Sequence, residues 1–133
     1  MPEKNPAPAV IAVGVDLVEL HRIERLLDAE GERFLRRVFT PAEQAYCMAK
    51  AKPVPSLAAR FAAKEAVMKC LGTGWSEGVG FTQIEVTRDP KGCPEIQLAG
   101  RAAEVAQSRS IAAIRLSLSH GEATAIAFAV AVT

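Results

Sequence analysis

No stretch of this sequence approaches the roughly 20 consecutive apolar residues that span a bilayer, so no membrane segment is expected. Aromatics are scarce, at one Trp, one Tyr and five Phe; Ala and Val dominate the hydrophobic half of the chain, a composition of compact globular proteins. Charge of one sign is missing too. A formal net charge of +1 argues against bulk electrostatic binding to nucleic acid, though it leaves a local basic patch open. The three cysteines, Cys47, Cys70 and Cys93, form no CxxC pair and stand at no zinc-finger spacing from His21 or His120. A disulfide framework and a structural zinc are therefore not expected, and reduced thiols suit a cytoplasmic protein. Internal repeats are absent. The opening MPEKNPAPA reads as a flexible tail over residues 1–9, and VIAVGV runs into Asp16 and Glu19 without the length or cleavage site of a signal peptide. At 133 residues, a single domain over 10–133 is expected.

The apolar run 10–15 predicts a buried strand. Leu17, Leu20, Ile23, Leu26 and Leu27 then recur at helical spacing, and a second helix is expected from Glu32. TPAEQ opens a third, with Thr40 as N-cap and Pro41 at the first helical position. AKAKPVPS reads as a linker, and 56–71 as one long helix ended by the glycines of GTG, residues 72–74. Beyond it the period changes to two. Ile84 and Val86 share a strand face, DPKG turns the chain, and EIQL completes a hairpin. GRAAEVAQSR is a short helix. AIRLSLS alternates with Ile114, Leu116 and Leu118 inward, and TAIAFAVAV is a final strand with alanines on one face and Ile126, Phe128, Val130 and Val132 on the other. A strand apolar on both faces is expected to be buried on both, by helices or another subunit. The order gives an α+β class, a long central helix on a mainly antiparallel sheet.

Three positions invite chemistry. On the long helix, Leu57, Ala58, Phe61, Ala62 and Ala66 fall on one arc at about 100° per residue, and Glu65 and Lys69 fall inside it. Arg60 and Lys64 point away, toward the side where an amphipathic helix carries its charges. An i, i+4 Glu–Lys pair is ordinarily a surface ion pair of a few tenths of a kcal/mol. On an apolar arc, each charge instead needs a partner or a metal to offset desolvation; a divalent ion at Glu65 and a phosphate at Lys69 would satisfy both. Asp16 follows the first strand. It reads either as an N-cap, with Glu19 completing a box-like DxxE, or as a ligand for a hard cation such as Mg²⁺, which takes one or two carboxylates and leaves its other positions to water and phosphate. His120 reads as a turn residue, GTG more simply as a C-cap than a phosphate loop, and the interleaved Arg22, Arg25, Arg33, Arg36 and Arg37 as a solvated mixed surface. Cys70 reads as core packing.

GVDLVELHRI at 14–23, RFAAKEAVMKCLGTG at 60–74 and SLSHG at 117–121 occur in one order. Together they resemble the holo-acyl-carrier-protein synthase family, the short bacterial type of phosphopantetheinyl transferase. The FxxKExxxK core is Phe61, Lys64, Glu65 and Lys69; the upstream GxD is Gly14 and Asp16. The resemblance implies the phosphopantetheinyl transferase fold and transfer of 4′-phosphopantetheine from coenzyme A to a serine of apo-acyl carrier protein, releasing adenosine 3′,5′-bisphosphate. It also implies a homotrimer with active sites between subunits. It carries over Asp16 and Glu65 as Mg²⁺ ligands, Glu65 and Lys69 as catalytic residues, and Arg60, Lys69 and His120 as coenzyme contacts. Arg22 and Arg25 become contacts to the acidic carrier helix, with Arg33 a weaker addition. The family's hairpin commonly reads Gly-Lys-Pro, where this chain has Gly92, Cys93 and Pro94.

Two other readings compete. A non-catalytic module holding coenzyme A or a carrier protein would not require a carboxylate centre. A Mg²⁺-dependent phosphohydrolase or nucleotidyl enzyme using the same carboxylates would turn over coenzyme A or a nucleotide with no carrier present.

Overall fold

The computed structural model describes residues 6–73 and 77–133; most of the expected tail, residues 1–5, and Gly74 of GTG lie outside them. The first strand, β1, runs Val10–Glu19, and α1 follows as Leu20–Glu30. Asp16 is therefore a strand residue, not an N-cap, and Leu17 is 62% exposed instead of lying on a helix face. The reason lies at the other end of the chain. β1 pairs antiparallel with the last strand, β5 (Thr124–Val132), continuing through Asp16↔Ala127 to Glu19↔Thr124. The strand's hydrogen bonds fix the backbone past the point where local sequence favours a helix start.

Helices α2 (Glu32–Val38) and α3 (Pro41–Met48) follow as expected. Thr40 caps α3 in a full capping box, its side chain accepting from the Glu43 N–H while the Glu43 carboxylate accepts from the Thr40 N–H. The long helix α4 is Pro53–Leu71, so the second half of the expected linker is its first turn; a proline loses nothing there, because first-turn N–H groups have no helical partner. Gly72 ends it in the left-handed conformation, φ 73°. β2 (Ile84–Arg88) and β3 (Pro94–Leu98) form the hairpin, α5 is Gly100–Ser108, and β4 is Ala113–His120.

All strand pairings are antiparallel, but they form two sheets. One has the order β1–β5–β4; the other is the β2–β3 hairpin. Of the expected inward row on β4, Ile114 is buried, while Leu116 and Leu118 are half-buried against the core. Ala125, Ala127, Ala129 and Ala131 are at most 1% exposed, and α4 packs on the sheet through β1 and β5. The small face is thus the core face, and the alanines admit the chain's own helix, not a neighbouring subunit. The larger face is not covered by the described residues: Val13, Val15, Leu17, Ile126 and Phe128 are exposed.

The other side of α4 departs most from the helical-wheel reading. Arg60 is 2% and Lys64 0% exposed, because α3 and β2 cover the side expected to face water. Lys64 Nζ donates to the Phe81 and Ile84 carbonyls at 3.0 and 2.6 Å and pairs with Glu43 Oε1 at 2.6 Å. Glu43 Oε2 also accepts from the Val86 N–H at 2.9 Å. Burial pushes the Lys64 ammonium below its ordinary range, and the Glu43 charge opposes that. All three ammonium protons have acceptors, which makes burial of the charge tolerable. Within the FxxKExxxK motif, Lys64 therefore ties α4 to α3 and the β2–β3 sheet. Lys64→Ala should destabilise the chain by about 3–5 kcal/mol by stranding the Glu43 carboxylate. Urea unfolding measures this, and a Lys64→Met, Glu43→Leu double variant should recover part of the loss.

Candidate active site

Gly14 sets the distance between β1 and α4. A Cβ built on it falls onto the Ala66 carbonyl oxygen and lies 3.1 Å from Lys69 Cβ. Strand and helix can approach this closely only where one side chain is missing. Two residues on, and on the same face of the strand, Asp16 meets the turn of α4 that carries Glu65 and Lys69. Lys69 Nζ donates to the Val15 carbonyl at 2.7 Å and to Asp16 Oδ1 at 3.3 Å. Lys69 is about half exposed, so this bridge adds little to stability.

Glu65 is half-buried in the same seam. Burial raises its carboxyl above the ordinary range and the Asp16 charge adds to this, while Arg22 and Lys69 pull it down. Arg22 reaches the group from α1, its guanidinium 5.2 Å from the centre of the Phe61 ring. The spacing reads Arg22 as part of a solvated surface and the resemblance makes it a carrier contact; the structure places it within electrostatic reach of Glu65. Arg25 is exposed and outside the cluster, and Arg33 is engaged by Glu30 at 3.9 Å. Asp16 and Glu65, two mutually repelling carboxylates beside an ammonium, are a donor set that suits a hard divalent cation. Among the described residues no group of three or more His, Cys, Asp or Glu is placed to hold a metal, so a cation here would take its remaining ligands from water or substrate.

The structure does not bring Arg60 and His120 to this cluster. Five residues separate Arg60 from Glu65, or about 140° around the helix. Arg60 and His120 instead line a cleft of about 400 Å³ with Ser56, Arg88, Cys93 and Ser117. Arg60, Lys50 and Arg88 surround the Tyr46 ring at 4.3, 4.7 and 5.3 Å from its centre. Burial raises the Tyr46 phenol, but Arg88, Lys50 and Arg60 together outweigh it and hold the group below its usual value. Arg88 and Tyr46 escaped sequence reasoning, since nothing local marks the end of a hairpin strand as converging on α3 and α4. Arg60 Nε is buried with no hydrogen-bond partner among the described residues, which suits an anionic ligand in this cleft.

A larger cleft of about 910 Å³ opens between the starts of α1 and α4 and the β4–β5 turn. Its rim carries Glu19, Glu24 and Glu122 against Lys52. That sign is wrong for a phosphate ligand, so size does not decide here and the cationic cleft is the better anion site. Asp16, Glu65 and Lys69 line neither cleft.

Residues 12–129 match the model of the 4′-phosphopantetheinyl transferase superfamily. The chain belongs to this superfamily. Among its relatives, the holo-[acyl-carrier-protein] synthase of Maridesulfovibrio salexigens is 48% identical over 121 residues, 91% of this chain and 97% of that protein. The crystal structure of holo-[acyl-carrier-protein] synthase from Neisseria meningitidis superposes with a TM-score of 0.85 at 38% identity, covering 92% of this chain and 98% of the other. That of the Helicobacter pylori enzyme in complex with coenzyme A gives 0.80 at 32% identity, covering 90% and 99%. These solved relatives share the α+β fold, in which the Gly14 notch seats β1 on α4 beside Asp16 and Lys69.

Proposed function

We propose that the chain is a holo-[acyl-carrier-protein] synthase. It transfers 4′-phosphopantetheine from coenzyme A to a serine of apo-acyl carrier protein and releases adenosine 3′,5′-bisphosphate. The observation that carries this reading is the seam where Gly14 lets β1 onto α4 and sets Asp16, Glu65 and Lys69 together. Attack of a hydroxyl on an anionic pyrophosphate is chiefly a problem of positioning and charge neutralisation, and this cluster supplies charge of both signs. Asp16 and Glu65 would hold Mg²⁺, which supplies Lewis-acid neutralisation of the pyrophosphate when bound. Glu65 accepts the serine proton. Lys69 leaves its bridge to Asp16 to meet charge developing on the pyrophosphate oxygens, and Arg22 and Arg25 face the acidic carrier.

Arg60 and His120 hold the phosphates at the nucleotide end of coenzyme A, with Arg88 completing the cationic wall. In one chain that wall and the carboxylates occupy different sides of α4, so a ligand touching both needs two copies. The uncovered sheet face is where such a contact would form: Val13, Val15, Leu17, Ile126 and Phe128 are exposed on it, and a contiguous apolar face of this kind marks an interaction site. The family resemblance supplies the number of copies, and this reading takes the assembly as a homotrimer with active sites between subunits. Phe128→Arg should give a monomer with transfer lowered by about 100-fold or more, the scale of misplaced reacting groups. Light scattering and a transfer assay check this; an active monomer would contradict the shared site. Among the described residues no helix is long and apolar enough to cross a membrane and all three thiols are free, which suits the reducing cytoplasm.

The experiment is a chromatographic assay for adenosine 3′,5′-bisphosphate with coenzyme A and Mg²⁺, with and without apo-acyl carrier protein. Nucleotide released only when the carrier is present supports the transferase. Release without a carrier would favour a phosphohydrolase, and no release despite coenzyme binding would favour a binding module.

A further inference from the structure

The three cysteines are not equivalent. Cys47 and Cys70 are buried, and burial raises both thiols; the Cys70 thiol also donates to the Ala129 carbonyl at 3.4 Å. Cys93 is exposed and lines the same cationic cleft as Arg60, Arg88 and His120. The hairpin fixes it there. Asp89 Oδ1 accepts from the Lys91 and Cys93 N–H groups at 2.8 and 2.9 Å, and the Arg88 guanidinium donates to the Gly92 carbonyl at 2.6 Å. The Cys93 backbone is thus held in a cleft that Arg88, pinned to the same turn, also lines. A second arginine in the cleft, Arg60, is 2% exposed, and its Nε has no hydrogen-bond partner among the described residues. A cleft of about 400 Å³ is within the range of small-molecule sites.

We propose that Cys93 is a thiolation site, at which an anionic low-molecular-weight disulfide drawn in by Arg60, Arg88 and His120 exchanges with the thiol and plugs the cleft. The Cys93 thiol gives its proton to solvent, and the thiolate attacks one sulfur of the disulfide. That S–S bond breaks as the Cys93 S–S bond forms. The other half leaves with the electron pair and takes up a proton. The incoming disulfide is the oxidant, and any thiol reductant reverses the step. The adduct stands where an anion would sit, so the cleft is closed while it persists. The consequence for turnover rests on the transferase reading; the adduct itself does not.

The test is intact-mass spectrometry of the full chain with oxidised glutathione, which is anionic, or cystamine, which is cationic. Each rate is divided by that of a free cysteine derivative in the same buffer. The proposal expects a single adduct, removed by dithiothreitol and absent in Cys93→Ser. It also expects a preference for the anionic disulfide of at least about tenfold at low salt, the lower end of electrostatic steering. Added salt should shrink that preference, and so should Arg88→Ala. A preference no greater than that of the free thiol overturns the proposal, as does an adduct on Cys47 or Cys70. Calorimetry with adenosine 3′,5′-bisphosphate then separates the two readings. The reduced protein should bind it and the thiolated protein should not. Binding to both overturns the plug; binding to neither, with the adduct formed as expected, counts against the nucleotide role of the cleft and leaves the thiolation site standing.

Discussion

Glu65→Gln should reduce carrier-dependent transfer by at least about 1,000-fold, on the scale of losing both a proton acceptor and electrostatic stabilisation of the reacting phosphate, while the fold survives. The amide is isosteric, and Glu65 is only half-buried at the surface of the β1–α4 seam. Removing its charge also relieves the burial of that charge and the repulsion from Asp16, which together raise the carboxyl. The melting temperature should therefore stay level or rise. This split separates a functional carboxylate from a structural one, because a residue kept for packing would lose stability and activity together. Asp16→Asn should behave similarly, with one difference: it weakens the Lys69 bridge at 3.3 Å. Transfer close to that of the unmodified chain in either variant would remove the proposed cation site.

Gly14→Ala carries the second large effect, and it acts through geometry. The new methyl meets a backbone oxygen, that of Ala66, which no rotamer change can move aside. Overpacking of this kind costs about 1–3 kcal/mol or more. Relief requires β1 to lift from α4, which carries Asp16 away from Glu65 and Lys69. A displacement near 1 Å is enough to cost about 100-fold in rate. Thermal unfolding together with a transfer assay checks both halves. Gly121→Ala is the stability control, since a Cβ there meets nothing within 4 Å. Equal stability of the two variants would mean that the seam is looser than its contacts indicate.

The chemistry of the site was legible in the sequence where spacing alone brings groups together. Glu65 and Lys69 are one helical turn apart whatever the rest of the chain does, and Thr40, Pro41 and Glu43 announce a helix start using only neighbours. The hairpin around DPKG is local in the same sense. What could not be read depends on partners far along the chain. The cap reading of Asp16 stayed open beside the cation-ligand reading because β5, with which it pairs, lies more than a hundred residues away. Lys64 and Arg60 looked solvated because α3 and β2, which cover them, are invisible to a helical wheel; the acceptors that make Lys64 burial tolerable come from Glu43, Phe81 and Ile84. The final strand was correctly split into an alanine face and a branched face. Which of them α4 would take depends on how near Gly14 lets the helix come.

The most direct measurement is the mass of an apo-acyl carrier protein after incubation with this chain, coenzyme A and Mg²⁺, with EDTA as the control. The account predicts one phosphopantetheine added to the carrier serine, lost with EDTA and lost with Glu65→Gln. A carrier left unmodified by a folded chain that binds coenzyme A would contradict it.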